Sequence, residues 1–442
     1  MIFRRKATAE LRNWKQNGAG RYAALLEGPR RVGKSTIAEE FAKKEYLSYI
    51  KVDFANIDND LLAAFDSISR LDEFFLRLQA LTGILLYRRK SVIIFDEIQL
   101  SPKTRQAIKY LVADGRYDYI ETGSLLSIKK NVKGIVIPSE EWIIRVYPMD
   151  YEEYLWACGK DSFDILREIY AKRKPMGQAI NRTLMREFRT YLAVGGMPQA
   201  IESHISGNSL METDHVKRRI IDLYEEDFFK IDPSGNISML FDSIPSQLFR
   251  KSVRFSFNYA MKKRTGNKTS ELLSDLINSR TVIPCYNCSD PTISLSQGKD
   301  LSSFKIYMAD TGLFITQLLR TKTSTDEKLY AKFLSDKLPA NLGYVYENAV
   351  AQILSTLGHD LYYMVWDKPG STHKYELDFI IQKGIKTIPI EVKSSRTDSH
   401  KSIDAFSIKY SSLATSPLIL SQKDLCKEGS IYVLPFYLTP FI

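Results

Sequence analysis

Residues 28–36 read Gly28-Pro29-Arg30-Arg31-Val32-Gly33-Lys34-Ser35-Thr36. The run satisfies G-x-x-x-x-G-K-[S/T] without a mismatch, between the apolar stretch Tyr22–Leu26 and the helix-like stretch Ser35–Lys44. That context, strand then loop then helix, is the one the pattern needs. Glycines let backbone N–H groups wrap phosphate oxygens, and the helix N-terminus adds a positive dipole. Lys34 is placed to reach the β and γ oxygens and Ser35 to ligate Mg²⁺. The whole segment Gly28–Thr36 is therefore read as the ATP-binding loop, with ATP and Mg²⁺ as the implied cofactors.

The next signal outward is Ser91-Val-Ile-Ile-Phe-Asp96-Glu97, a strand with no polar residue in its interior that ends in two acids. Continuous apolar strands of this kind are buried on both faces, as in parallel sheets. Asp96 is expected to hold the Mg²⁺ through water, and Glu97 to polarise the attacking water. A further strand, Tyr119-Ile-Glu-Thr122, then Gly123 and Ser124, ends in small hydroxyl residues able to sense a γ-phosphate or orient the water. Strands alternating with helix-length stretches over residues 1–146 give the fold class α/β, a parallel-sheet P-loop ATPase core.

Composition agrees. The 442 residues are 44% hydrophobic and 26% charged, which fits a soluble globular chain of two or three domains and excludes general disorder. No apolar run approaches a membrane span, and the N-terminus lacks the features of a secretion signal, so a cytosolic protein without membrane attachment is expected. Cys158, Cys285, Cys288 and Cys426 are too few and scattered for a disulfide framework, and the lone CxxC lacks partners for a zinc site.

Beyond the core, apolar residues at three-to-four spacing over 147–235 predict a helical lid. Residues 236–310 run helix, helix, turn, helix and two strands, the order of a winged helix. Residues 311–442 form a second α/β unit, entered through a Lys-, Thr-, Ser- and Asp-rich stretch, Leu319–Pro339.

In this order the landmarks resemble AAA+-type ATPases whose P-loop domain is fused to a C-terminal domain of uncharacterised function, a family common in archaea and bacteria. The resemblance rests on GPRRVGKST, VIIFDEIQ, TGSLL, Val146-Tyr-Pro-Met-Asp-Tyr-Glu-Glu, Leu192-Ala-Val-Gly195-Gly196-Met-Pro198, Lys305-Ile-Tyr-Met-Ala-Asp310-Thr-Gly-Leu, Tyr346-Glu347-Asn348 and Glu391-Val-Lys393. Many members carry a Gly-Arg pair where this chain has Gly134-Ile135, so no arginine finger is placed by motif; Arg145 is a candidate. The resemblance also implies subunit assembly as a homo-oligomer.

A second constellation follows. Glu347 lies early on a helix, Asp378 on a strand 31 residues later, and Glu391 and Lys393 on the next strand, sharing one face by alternation. Two carboxylates with a lysine can build a Mg²⁺ site and stabilise developing charge on a phosphate. The set looks like a PD-(D/E)XK nuclease core; the competing readings are a retained nuclease fold now used for binding without cleavage, and simply a solvated strand edge. Separately, Arg250–Lys268 holds seven basic residues and no acid, interleaved with Phe255, Phe257 and Tyr259. Contact with DNA or RNA and a solvated face over core aromatics both account for it. An ATPase acting on nucleic acid and a nucleotide-dependent switch docking a protein partner are the two functional expectations.

Overall fold

The computed structural model describes residues 1–123, 138–250, 254–260, 267–319, 327–335, 343–394 and 400–442. The chain divides into two compact units, one of residues 1–147 with 278–280, the other of residues 148–277 with 281–442.

The first unit is built on β1 (Ala23–Glu27), β2 (Ser48–Asp53), β3 (Ser91–Asp96), β4 (Asp118–Gly123) and β5 (Glu141–Arg145), in the order β2-β3-β4-β1-β5. Every pairing in it is parallel. All residues of β1, β3 and β4 are buried, which is why the interiors of β1 and β3 read as unbroken apolar runs, whereas β4 buries Asp118, Glu121 and Thr122 as well. Phe54, Phe65, Phe74, Phe75 and Phe95 join Ile93, Ile108 and Leu111 in one core cluster. Parallel pairing brings the C-terminal ends of β1, β3 and β4 to one edge of the sheet, and the candidate site residues lie at or just after these ends.

The second unit holds a mixed sheet of β6 (Val282–Cys288), β7 (Lys299–Met308), β8 (Leu361–Asp367), β9 (Lys374–Lys383), β10 (Lys386–Lys393), β11 (Leu418–Ser421), β12 (Cys426–Glu428) and β13 (Ile431–Pro435). The order is β12-β13-β11-β10-β9-β8-β6-β7. Cys285–Asn287 of β6 pair parallel with Leu361–Tyr363 of β8. The two strands read as the end of a winged helix therefore share one sheet with the strands that follow residue 310: β6 lies beside β8, and β7 is the edge strand beyond it. Alternation marks a strand but does not name its partner, so the sequence could not show this.

The segment expected as a lid for the ATPase is helical, with helices at Tyr151–Ala157, Phe163–Lys172, Gln178–Val194, Pro198–Ile205 and Leu210–Ile231. It belongs to the second unit, and the family landmarks show why. Asp150 and Glu153 form a capping box at the start of the first of these helices. Met149 N–H donates to Gly196 O at 2.6 Å, and Gly196 N–H to Asp310 Oδ2 at 2.5 Å. Asp310 also accepts from Leu313 N–H at 2.8 Å, capping the helix Thr311–Leu319. Asn348 bonds both Met308 N–H and Met308 O, and Gln352 accepts from Thr311 and donates to Tyr191 Oη. A Cβ on Gly196 would sit 2.8 Å from Met149 N and overlap Met149 O. Four motifs that are far apart in the chain thus form one buried clasp.

Candidate functional site

The loop after β1 folds over its own lysine. Lys34 is 6% exposed, and its Nζ donates to Gly28 O at 3.0 Å and Pro29 O at 2.9 Å. A Cβ on Gly28 would sit 3.1 Å from the carbonyl carbon of Val146, which runs alongside, so only glycine lets the two backbones approach. The helix Lys34–Glu45 starts at this lysine. Its first N–H groups and the lysine converge on the loop cradle, which suits a polyphosphate.

Asp96, at the end of β3, gathers the rest. Ser35 Oγ donates to Asp96 Oδ1 at 2.6 Å, and Thr122 Oγ1 donates to the same oxygen. Glu97 N–H donates to Thr122 Oγ1 at 3.2 Å. Glu97 itself has φ 54°, in the left-handed region, which turns it out of the strand direction at a cost of about 1–2 kcal/mol. Gln99 Nε2 donates to Glu97 Oε2 and so holds this carboxylate in place. Ser35, Asp96 and Thr122 therefore lie within one hydrogen-bonded group, next to Lys34 in the chain and one residue from Glu97. The hydroxyl and carboxylate of Ser35 and Asp96 are the hard oxygen donors that a Mg²⁺ ion takes. Ser124 and the Gly134-Ile135 pair lie outside the described residues. Arg145 is exposed at the end of β5, where it pairs in register with Glu27.

Three side chains at this edge carry no motif. Arg5, 7% exposed, donates to Val32 O and Tyr147 O, both at 2.7 Å, and ties the loop to the chain beside β5. Lys51 Nζ stands 3.5 Å from Asp96 Oδ2 and 3.3 Å from Glu39. Glu121 is fully buried in β4, and neither of its oxygens has a hydrogen-bond partner among the described residues. Burial, then the neighbouring Glu141, push its carboxyl well above the usual range against the pull of Arg105. A basic residue near a chain terminus and an acid inside an apolar strand gave no spacing by which they could have been singled out.

Residues 20–155 match the model of a family described as an AAA domain. The chain thus carries an AAA-type P-loop ATPase domain. Residues 185–325 match a domain of unknown function, DUF8612, and residues 342–438 another, DUF4143. No curated protein matches the chain. Among solved structures, a STAND ATPase with a tetratricopeptide repeat sensor from Pyrococcus horikoshii is 12% identical, with 81% of this chain and 49% of that one covered and a TM-score of 0.28. The chain spans about half the length of that protein. Cdc6p from Pyrobaculum aerophilum is 14% identical, covering 74% and 92%, with a TM-score of 0.22. At such scores these likenesses carry no argument.

The second constellation is divided between two groups. Glu347 accepts from Lys305 Nζ at 3.0 Å and from Tyr307 Oη. Lys305, 6% exposed, also pairs with Glu376 at 2.7 Å and faces the Tyr363 ring. Burial disfavours its charge, yet Glu347, Glu376 and Asp378 outweigh that and hold its pKa well above the ordinary lysine value. Asp378 accepts from Val392 N–H at 2.7 Å, and burial, then Glu347, push its carboxyl up to about 8. Glu391 and Lys393 form the other group, an ion pair of 2.5 Å. Among the described residues no group of three or more His, Cys, Asp or Glu side chains is placed to hold a metal ion. The ammonium of Lys305 stands between the carboxylates of Glu347 and Glu376. It sits at an apolar landmark, KIYMAD, and nothing in the spacing pairs it with Glu347.

Of the basic segment Arg250–Lys268, residues 251–253 and 261–266, including Lys262, Lys263 and Arg264, lie outside the described residues. Phe255 is buried and stacks on Phe304, and Phe257 meets the same ring edge-on, so these two aromatics serve the core. Cys285 and Cys288 are free and buried, and burial pushes both thiols up.

Proposed function

We propose that the protein hydrolyses ATP at Gly28–Thr36 and couples the nucleotide state to a C-terminal unit that binds nucleic acid without cutting it. The observation that carries the first part is the convergence of the Ser35 and Thr122 hydroxyls on Asp96, with Glu97 N–H donating to Thr122, beside the lysine loop. Lys34 exchanges Gly28 O and Pro29 O for phosphate oxygens, which are stronger acceptors because they are charged. Mg²⁺, held by Ser35 and Asp96, would supply positive charge against the phosphates. Glu97 orients the attacking water and takes its proton, and Gln99 sets where that carboxylate points. Thr122 keeps Asp96 and the Glu97 backbone in register. Arg145 at the end of β5 and a homo-oligomeric neighbour remain the proposed sources of a further positive charge at the γ-phosphate.

ATP turnover by the purified protein tests this reading. Lys34→Ala abolishes nucleotide binding, and Glu97→Gln binds ATP without turning it over; full turnover by Glu97→Gln refutes the role given to Glu97.

The absence of cutting rests on Lys305. With Glu347 neutralised by that ammonium, Asp378, Glu391 and Lys393 are proposed as a retained nuclease-like frame without its cation. Incubation with linear, circular and single-stranded DNA and RNA in Mg²⁺ or Mn²⁺ checks this. Cleavage that is lost in Asp378→Asn or Glu391→Gln overturns it. The same ion pair also fits a nucleotide-dependent switch that docks a protein partner. Stimulation of hydrolysis by a protein, and not by DNA or RNA, selects that second reading.

A further inference from the structure

The helix Gln178–Val194 carries Arg182, Arg186 and Arg189 along one side of an open groove of about 470 Å³. Its other lining includes Gln178, Ser335 and Gln422, and no carboxylate lines it among the described residues. At 1.5 Å rise per residue, Arg182 and Arg186 stand about 6 Å apart along the axis, one helical turn on the same side. Both are exposed and unpaired among the described residues. Arg189 is 8% exposed and fixed, donating to Gln422 Oε1 at 2.6 Å and Leu334 O at 3.2 Å. Asp424, which meets the chain just before the helix, accepts from Met176 and Gly177 N–H.

Gln422 links the groove to the second constellation. Its Nε2 donates to Ser394 O at 2.8 Å, one residue past Lys393, and the preceding Ser421 pairs in register with Lys393 itself. The groove wall thus meets the strand end that carries Glu391 and Lys393.

We infer that this groove binds the sugar-phosphate backbone of a nucleic-acid strand, with Arg182 and Arg186 as the phosphate contacts. The inference rests on the nucleic-acid reading above and names its site. Three guanidiniums and no lysine favour planar, bidentate oxyanion partners. Repetition at one helical turn suits an anion that repeats, as a phosphodiester does. Among the described residues no aromatic side chain lines the groove, so the binding does not draw on base stacking there and is sequence-tolerant and salt-sensitive.

The test uses the full chain and a labelled oligo-dT strand, with binding followed by fluorescence anisotropy across a salt series. Arg182→Gln with Arg186→Gln weakens binding and lowers the slope of log K against log salt by about 1.4, two single-strand contacts at about 0.7 each. The melting temperature, unchanged in the double variant, certifies the fold. Wild-type binding with the same affinity and slope in the variant overturns the groove and leaves the nucleic-acid reading standing. No oligo-dT binding by the wild type overturns both. Polyglutamate that displaces oligo-dT as well as unlabelled oligo-dT does assigns the groove to acidic peptide and also overturns the inference.

Discussion

Replacing Lys305 with methionine removes one charge from a buried group and leaves its two partners behind. Glu347 and Glu376 lose contacts of 3.0 and 2.7 Å, while Asp378 and Tyr307 stay in place. Removing one member of a buried pair costs about 3–5 kcal/mol, because the remaining charge has neither water nor a partner. Glu376 keeps 34% of its side chain exposed and Glu347 17%, so the loss belongs near the lower end, about 3 kcal/mol. For a urea slope of about 3 kcal/mol/M, the unfolding midpoint of the second unit falls by about 1 M. Methionine keeps the volume, so cavity formation does not confound the result. A double-mutant cycle separates the electrostatic part: Glu347→Gln in the Lys305→Met background restores stability, whereas Glu347→Gln alone lowers it. Mn²⁺ gives an orthogonal readout, raising the melting temperature of Lys305→Met and not that of the wild type, since carboxylates freed of the ammonium accept a cation. A midpoint shift below about 0.3 M together with additive single effects refutes the claim that Lys305 is the resident cation of this site.

The buried clasp gives a second expectation. Gly196→Ala places its methyl on Met149 O, and this backbone cannot move without breaking the Met149 and Asp310 hydrogen bonds; a loss of several kcal/mol, seen as poor soluble yield or early melting, is expected. Lys217 is fully buried, donating to Ala193 O at 2.6 Å and Tyr330 Oη at 2.9 Å, and burial lowers its pKa to about 8 against the pull of Asp214. Between about pH 8 and 10 the unfolded chain binds this proton and the folded one does not, so stability rises with pH in that window, and Lys217→Met removes the rise in urea titrations. Glu121, with its raised pKa, runs the other way: the folded chain holds the proton, and stability falls as pH climbs above about 4.3. Glu121→Gln is expected to melt higher than the wild type at neutral pH, with the gain shrinking toward pH 4.

The ATPase core was legible because its chemistry is local. Gly28 to Thr36 must be contiguous for the loop to wrap a phosphate, and Asp96 must end an apolar strand to reach it. Thr122 was legible for the same reason. Arg5 was not, since a guanidinium bonded to two backbone carbonyls needs only reach. The strands Val282–Cys288 and Lys299–Met308 were recognised as strands, but their place beside β8 was not. The landmarks at Gly195-Gly196 and Asp310 were visible as motifs, yet their joint role needed both ends of a contact spanning 114 residues.

By itself the sequence determined the parallel α/β core and the position of the proposed nucleotide site, because a strand, a turn and a helix N-terminus are written in consecutive residues. Only the tertiary structure decided which groups Glu347, Asp378, Glu391 and Lys393 touch. A carboxylate binds a metal or a lysine according to which cation is brought within about 3 Å, and Lys305 reaches Glu347 across 42 residues because the helix Gly343–Thr356 packs on β7, a contact that no spacing rule encodes.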